Sequence, residues 1–413
     1  MTQTMMTTTK IKGLMLASGL ATLAMLQPAM ALDAQAFVQR IAEVYKVGGY
    51  DITFGPATAE GDTVVVDGLT LSLAGVDDPM KIDTQLTFSG VTDTDDGGFT
   101  AERLSVPDID TEFSDEPVGR LTLSDIVAED IYLPPAGAMD TIDLMQSVGR
   151  ISTGPLSVTR DGADFLAIAG FEASNEFTFD GDDALTDIVS IFEVSGIWAD
   201  LSSAGEEDPE TGAMIEALGL TEINGNISQS MSWNLVDGHM VIDQFLFDFD
   251  DVGAIDFKGD ISGLTPAVID KINAMQASTV DPTSEAAQAQ QMMLGMELLQ
   301  AITITGSSLR YDDASLAGRM IDFFAEQSGA DRADFVEGLK AMAQQSVSQL
   351  GIAALTEMVT PAINAFLDDP QSFEIGVRPP KPTTLLVLSA AAANPAGLIS
   401  AVGLSVKANQ PAE

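Results

Sequence analysis

The sequence has no cysteine and a single histidine, His239, in 413 residues. Thiol catalysis, Cys-ligated zinc, iron–sulfur clusters and disulfide staples are therefore excluded, and so is any metal site needing several histidines. Cations are scarce as well, with 18 Lys and Arg against 62 Asp and Glu and a net charge of −44. A surface that tracks nucleic-acid phosphates needs many cations, so this chain binds no nucleic acid. Two Trp and four Tyr are too few for the aromatic girdles of an outer-membrane barrel. Gly-x-Ser-x-Gly, the phosphate-binding Gly-x-x-x-x-Gly-Lys-Ser/Thr loop, Gly-x-Gly-x-x-Gly and Ser-x-x-Lys are all missing. What is present is apolar bulk: 46% of residues are hydrophobic, enough to collapse, and the length gives room for about two to three cores.

The first 31 residues read as an export signal. Lys10 and Lys12 precede 14 apolar residues at positions 13–26, and Ala29-Met30-Ala31 is a small-x-small cleavage site. As a helix, that apolar stretch would reach about 21 Å, short of a hydrocarbon core of about 30 Å. The mature chain is thus expected to begin at Leu32, with no retained transmembrane helix and no lipidated cysteine. A later apolar stretch, 383–406, is broken by Asn394-Pro395 and Gly397 and reads as two short buried helices. These features together predict a soluble periplasmic protein.

Past the signal the pattern divides in two. Asp33 is placed to cap a helix whose Phe37, Ile41, Val44 and Tyr45 form one stripe ending at Gly48-Gly49. Residues 32–263 are otherwise strand-like, with alternation at Leu69, Leu71 and Leu73 and at Leu121 and Leu123. Asp67-Gly68, Asp96-Gly97-Gly98, Asp161-Gly162, Asp180-Gly181 and Asp237-Gly238 read as turns, the last closing the clearest hairpin, 230–249. Residues 209–218 interrupt the strands as a helical insertion. From 264 to 413 the period becomes 3.6, with helical stripes starting at Leu316, Phe335 and Leu355 and strands returning at 301–311, 372–377 and 404–407. Residues 274–291 read as a linker or exposed helix. The predicted fold class is α+β: a long twisted antiparallel sheet, a short amino-terminal helix, and carboxyl-terminal helices packed on the sheet.

Acidic residues dominate the chemistry. Between Arg160 and Lys258 there are 22 Asp and Glu and no Lys or Arg in 97 residues, which reads first as a solvated surface that keeps the protein soluble. Asp93 to Asp96, Asp180 to Asp183 and Asp248 to Asp251 space hard oxygen ligands as calcium loops do, yet none completes the EF-hand pattern. No cofactor is implied. His239, just after a turn, reads as a solvated strand-start histidine, and Trp198 and Trp233 as sheet-core residues. Met292, Met293, Met296, Met320, Met342 and Met358 read as fillers of irregular core gaps, with an adaptable binding surface as the second choice. Phe245, Phe247 and Phe249 alternate along one strand, so all three project from one face and are the candidate lining of a ligand groove.

Three segments carry a resemblance: residues 98–107 (GFTAERLSVP), 119–126 (GRLTLSDI) and 308–316 (SLRYDDASL). They are similar to phrases in uncharacterised exported alphaproteobacterial proteins, which in turn resemble the AsmA-like envelope proteins. That resemblance implies long strands forming a curved, lipid-lining groove, and it brings no catalytic signature to match. The sequence as a whole points to a non-enzymatic envelope protein that binds a lipid-like or apolar ligand, or a partner protein, along the sheet. The alternatives from other classes are a secreted carboxylate-based hydrolase and an acidic cation-binding module.

Overall fold

The first helix forms where its cap predicts. α1 (Ala34–Lys46) begins at Asp33, whose carboxylate accepts the backbone N–H groups of Gln35 and Ala36 at 3.1 and 3.0 Å. The computed structural model describes residues 32–73, 80–115, 117–137, 139–181, 184–203, 208–276, 285–391 and 394–411. The segment expected to be an export signal lies outside the described residues, as do Asp182, Asp183 and positions 277–284 of the expected linker.

After α1 come β1 (Tyr50–Phe54), β2 (Ala57–Glu60), β3 (Thr63–Leu73), β4 (Met80–Ser89), β5 (Thr92–Asp93), β6 (Phe99–Val106), β7 (Ile109–Asp115), β8 (Val118–Leu123) and β9 (Ile126–Leu133). A short helix, α2 (Thr141–Met145), leads to β10 (Val148–Thr153), β11 (Leu156–Arg160), β12 (Ala163–Ile168), β13 (Gly170–Phe179) and β14 (Leu185–Asp200). The helical insertion is α3 (Pro209–Ala217), followed by β15 (Glu222–Asn234), β16 (His239–Phe249) and β17 (Gly253–Ser262). Helices α4 (Pro266–Gln276) and α5 (Glu285–Ala301) precede β18 (Thr303–Asp313), and α6 (Leu316–Ser328), α7 (Arg332–Gln349) and α8 (Ala353–Asp368) precede β19 (Ser372–Val377). The chain ends with β20 (Thr383–Thr384), α9 (Leu385–Ala391), α10 (Pro395–Val402) and β21 (Leu404–Ala408). The apolar stretch 383–406 holds two short helices between strand residues, but α9 has no buried residue and its Val387 is 53% exposed, so it is not the buried helix expected. Among the described residues no helix is long and apolar enough to cross a membrane.

All 21 strands among the described residues belong to one sheet, and each pairing is antiparallel. The main ladder starts with β1 and β2 side by side on one edge of β3. It continues through β4, β6, β9, β10 and β13. From β13 to β19 every step joins strands that are consecutive along the main ladder, and β21 closes the far edge. The sheet therefore runs on past residue 263: β17 pairs β18 across the helices α4 and α5 that the chain inserts between them. β14 also forks the sheet. Its first eleven positions face β13, while Trp198 and Ala199 face β12, which carries β11, β8 and β7 as a branch.

One expected turn is something else. Asp67-Gly68 lies inside β3, where the register slips between Asp67 and Leu69, so Gly68 (φ +81°) makes a bulge rather than a hairpin. A bulge and a tight turn both need a residue at positive φ, which is why the dipeptide misleads. Asp237-Gly238, by contrast, does connect β15 to β16.

The main core lies under α1. Phe37, Val38 and Val44 are essentially unexposed and pack on Val64 and Val66 of β3, Leu86 and Phe88 of β4, and Phe99 of β6. Phe37 meets Phe88 and Phe99 edge-on, with ring centroids 5.0 and 5.6 Å apart. A second core gathers Ile188, Trp233 and Leu235 beneath Ile142 and Met145 of α2 and Ile269 of α4. The buried Trp233 indole donates to the Leu264 carbonyl at 2.8 Å. Trp233 is thus the core residue its type suggests.

Candidate functional site

Register decides which side chains share a face, because directly paired residues in an antiparallel ladder project the same way. Following partners across the main ladder from β3 gives Val64, Phe88, Leu104, Ala128, Ile151 and Ala173. The same row continues as Phe192, Gln229, Phe245, Phe257, Leu309, Ile375 and Val406. Gln229 is the one polar member in 13 strands. At about 4.8 Å per strand the row runs for roughly 58 Å. A parallel row on the same face links Phe171, Val194, Ile227, Phe247, Ile255, Tyr311 and Phe373.

One residue along each strand, the opposite face reads Glu172, Glu193, Ser228, Leu246, Asp256, Arg310, Glu374 and Lys407. Along these rows the two faces are chemically distinct, Leu246 and Gln229 being the exceptions. On the charged face Arg103, Glu129, Arg150 and Glu172 form a ladder of ion pairs at 2.6, 3.8 and 3.0 Å.

The apolar face is only partly covered. α1 seals its amino-terminal end, α2 and α4 cover the strip around Trp233, and α6 and α8 sit over Tyr311 and Phe373. Between these covers Ile151, Ile255, Leu309 and Ile375 are 38–50% exposed. The three candidate phenylalanines fall in this open stretch. Phe245, Phe247 and Phe249 are half-buried and share a face, Phe245 and Phe247 having ring centroids 4.8 Å apart. Phe249 is flanked in register by Gly225 and Gly253. A Cβ at Gly225 would lie 2.4 Å from the Phe249 ring, so glycine is what lets that ring lie against β15.

Where α6 and α8 meet the sheet there is an apolar pocket of about 430 Å³, lined by Tyr311, Leu316, Met320, Ile363, Phe366 and Phe373 among others. Its single polar group is turned to other work. The Tyr311 hydroxyl lies 2.6 Å from Asp313 Oδ1 and 3.0 Å from the Val252 carbonyl, and burial, then that carboxylate, push its pKa well up.

Several of the methionines do not fill the core as their type suggested. Met292, Met293 and Met342 are 64–76% exposed, on α5 and α7, while Met320 lines the apolar pocket. His239 is not simply solvated at its strand start: its Nε2 lies 2.9 Å from Asp260 on the neighbouring strand, a partner 21 residues away. In the acidic runs, Asp96 is held by Thr94 and Gly98, and its pKa is lowered by those hydrogen bonds. Among the described residues no three acidic or histidine side chains converge as a metal site would require.

Asp256, on the charged face, is the most conspicuous carboxyl. Its Oδ1 is buried with no hydrogen-bond partner, and burial raises its pKa although Lys258, 3.9 Å away, opposes the shift. The folded protein therefore holds this proton more tightly than the unfolded chain does. The carboxyl favours folding while protonated, and that contribution is lost as pH rises through its folded-state pKa. Asp256→Asn is expected to be at least as stable as the native protein at about pH 8, with an advantage that shrinks towards about pH 5, as read from urea midpoints.

A family profile described as "Uncharacterized protein" matches residues 246–409. The match runs from within β16 to the residue after β21. No curated protein matches the chain.

Proposed function

We propose that this is a non-enzymatic protein of the bacterial envelope, exported to the periplasm, that binds a lipid-like ligand along the apolar face of its sheet. The observation that carries the reading is the apolar row that crosses 13 strands and stays half-open between its helical covers. Soluble proteins rarely leave a contiguous apolar strip uncovered unless something else covers it. The apolar pocket under α6 and α8 opens beside Tyr311 and Phe373, which end the second row, and so offers a terminus for an acyl chain laid along Phe247 and Ile255. At 430 Å³ it is well above the roughly 150 Å³ that already admits a benzene ring. The leader-like first 31 residues and the resemblance to AsmA-like proteins support the same reading.

The test is a titration of the purified protein with a fluorescent fatty acid, followed by competition with unlabelled fatty acids of increasing chain length. Saturable binding that tightens with each added methylene, by up to about 0.8 kcal/mol, is expected. Binding that never saturates, or that ignores chain length, would overturn the proposal.

A further inference from the structure

The other face of the sheet carries a cavity that the lipid reading leaves unused. It has a volume of about 830 Å³ and lies over β16–β19 and β21, roofed along one side by the Arg378-Pro379-Pro380-Lys381-Pro382 segment. Its floor is low because the strands there present Gly306, Ser308, Gly376 and Ser405. A Cβ at Gly376 would come within 2.9 Å of Ser405 Oγ, so even alanine would crowd that floor.

Charge singles this cavity out. Lys258, Arg310, Arg378, Lys381 and Lys407 all line it, five of the 18 cations of a chain whose net charge is −44. Most of the acids beside them already have partners: Glu374 pairs with Arg310 and Lys407 at 3.3 and 4.0 Å, Asp256 with Lys258, and Asp260 is hydrogen-bonded to His239 at 2.9 Å. Asp243, at the bulge of β16, is the acid that makes no ion pair among the described residues. Arg378 and Lys381 likewise make none, and both stand on the proline-rich rim. Prolines fix φ, so the rim is held in place at small entropic cost. Five cations against four acids give the lining a positive balance, and the two unpaired cations on the rim attract an anion. Asp256, Ser308 and Ser405 line the same cavity and offer partners for a ligand hydroxyl.

We propose that this cavity binds a small hydroxylated anion, a phosphate or carboxylate carried on a polyol backbone, with Arg378 and Lys381 taking the anionic group and Asp256 a hydroxyl. The site stands apart from the apolar face, so either can fail without the other. Calorimetric titration at about 0.1 M salt, where long-range repulsion is screened, tests it with glycerol 3-phosphate and inorganic phosphate as probes. Saturable one-to-one binding of glycerol 3-phosphate is expected, tighter than that of inorganic phosphate. The double substitution Arg378→Gln and Lys381→Gln, on an exposed rim, should weaken it at least about tenfold with the melting temperature unchanged. No saturable binding, equal affinity for the two probes, or a double variant that binds like the native protein would each overturn the proposal.

Discussion

Truncating Phe37 to alanine is expected to cost about 3–5 kcal/mol and to be the most damaging single substitution in the first half of the chain. The side chain is fully buried and edge-packed on Phe88 and Phe99, and it is the main anchor holding α1 on the sheet. Losing it leaves a void between two layers that the rigid strands cannot close. Arg40 is tied to the same place, with its guanidinium 5.9 Å from the Phe99 ring centroid and bonded to the Pro134 carbonyl. A urea denaturation midpoint close to that of the native protein would show that α1 is dispensable to the core. That result would mean that the main core does not depend on the α1 contact.

Phe247→Ala is expected to behave differently. Phe247 is half-buried, on the open part of the apolar face, so the substitution should cost clearly less than the Phe37 change, about 1–2 kcal/mol in proportion to the area it covers. Its main effect should fall on binding: loss of one phenyl contact worth about 1.4 kcal/mol weakens a fluorescent fatty acid about tenfold. Measuring both quantities on one variant separates the two roles. A large loss of stability with probe binding intact would make Phe247 a core residue and remove it from the ligand's path.

Much of the architecture is legible in the sequence because it is written locally. Asp33 capping α1, the hairpin of β15 and β16 around Asp237-Gly238, Asp331 at the start of α7 and the two short helices after Thr384 all follow from neighbours within a few residues. The alternation of Phe245, Phe247 and Phe249 likewise assigns them to one face. What the sequence hides is register. That Ile151, Phe192, Phe257 and Leu309 stand in one line depends on pairings accumulated across many strands, several of them shifted by bulges such as that at Asp243. Arg378 and Lys381 look like unremarkable charges in a proline-rich loop, and only the fold brings them over Asp256, more than 100 positions earlier in the chain. The one trace they leave in the sequence is the scarcity of cations, which makes the place of each one informative.

The succession of strands from β13 to β18 bears on how the chain comes together. β14, β15, β16 and β17 each pair with the strand before them, and the links from β13 to β14, β15 to β16 and β16 to β17 are short. Each such pairing closes a small loop, so the entropy of closure is met in small steps. The earlier strands are arranged otherwise: β6 waits for β9, and β10 for β13, with whole hairpins lying between. Assembly can therefore start in the middle of the chain and spread outward, with the region that carries Phe245 and Phe247 ordered before either end of the sheet is complete.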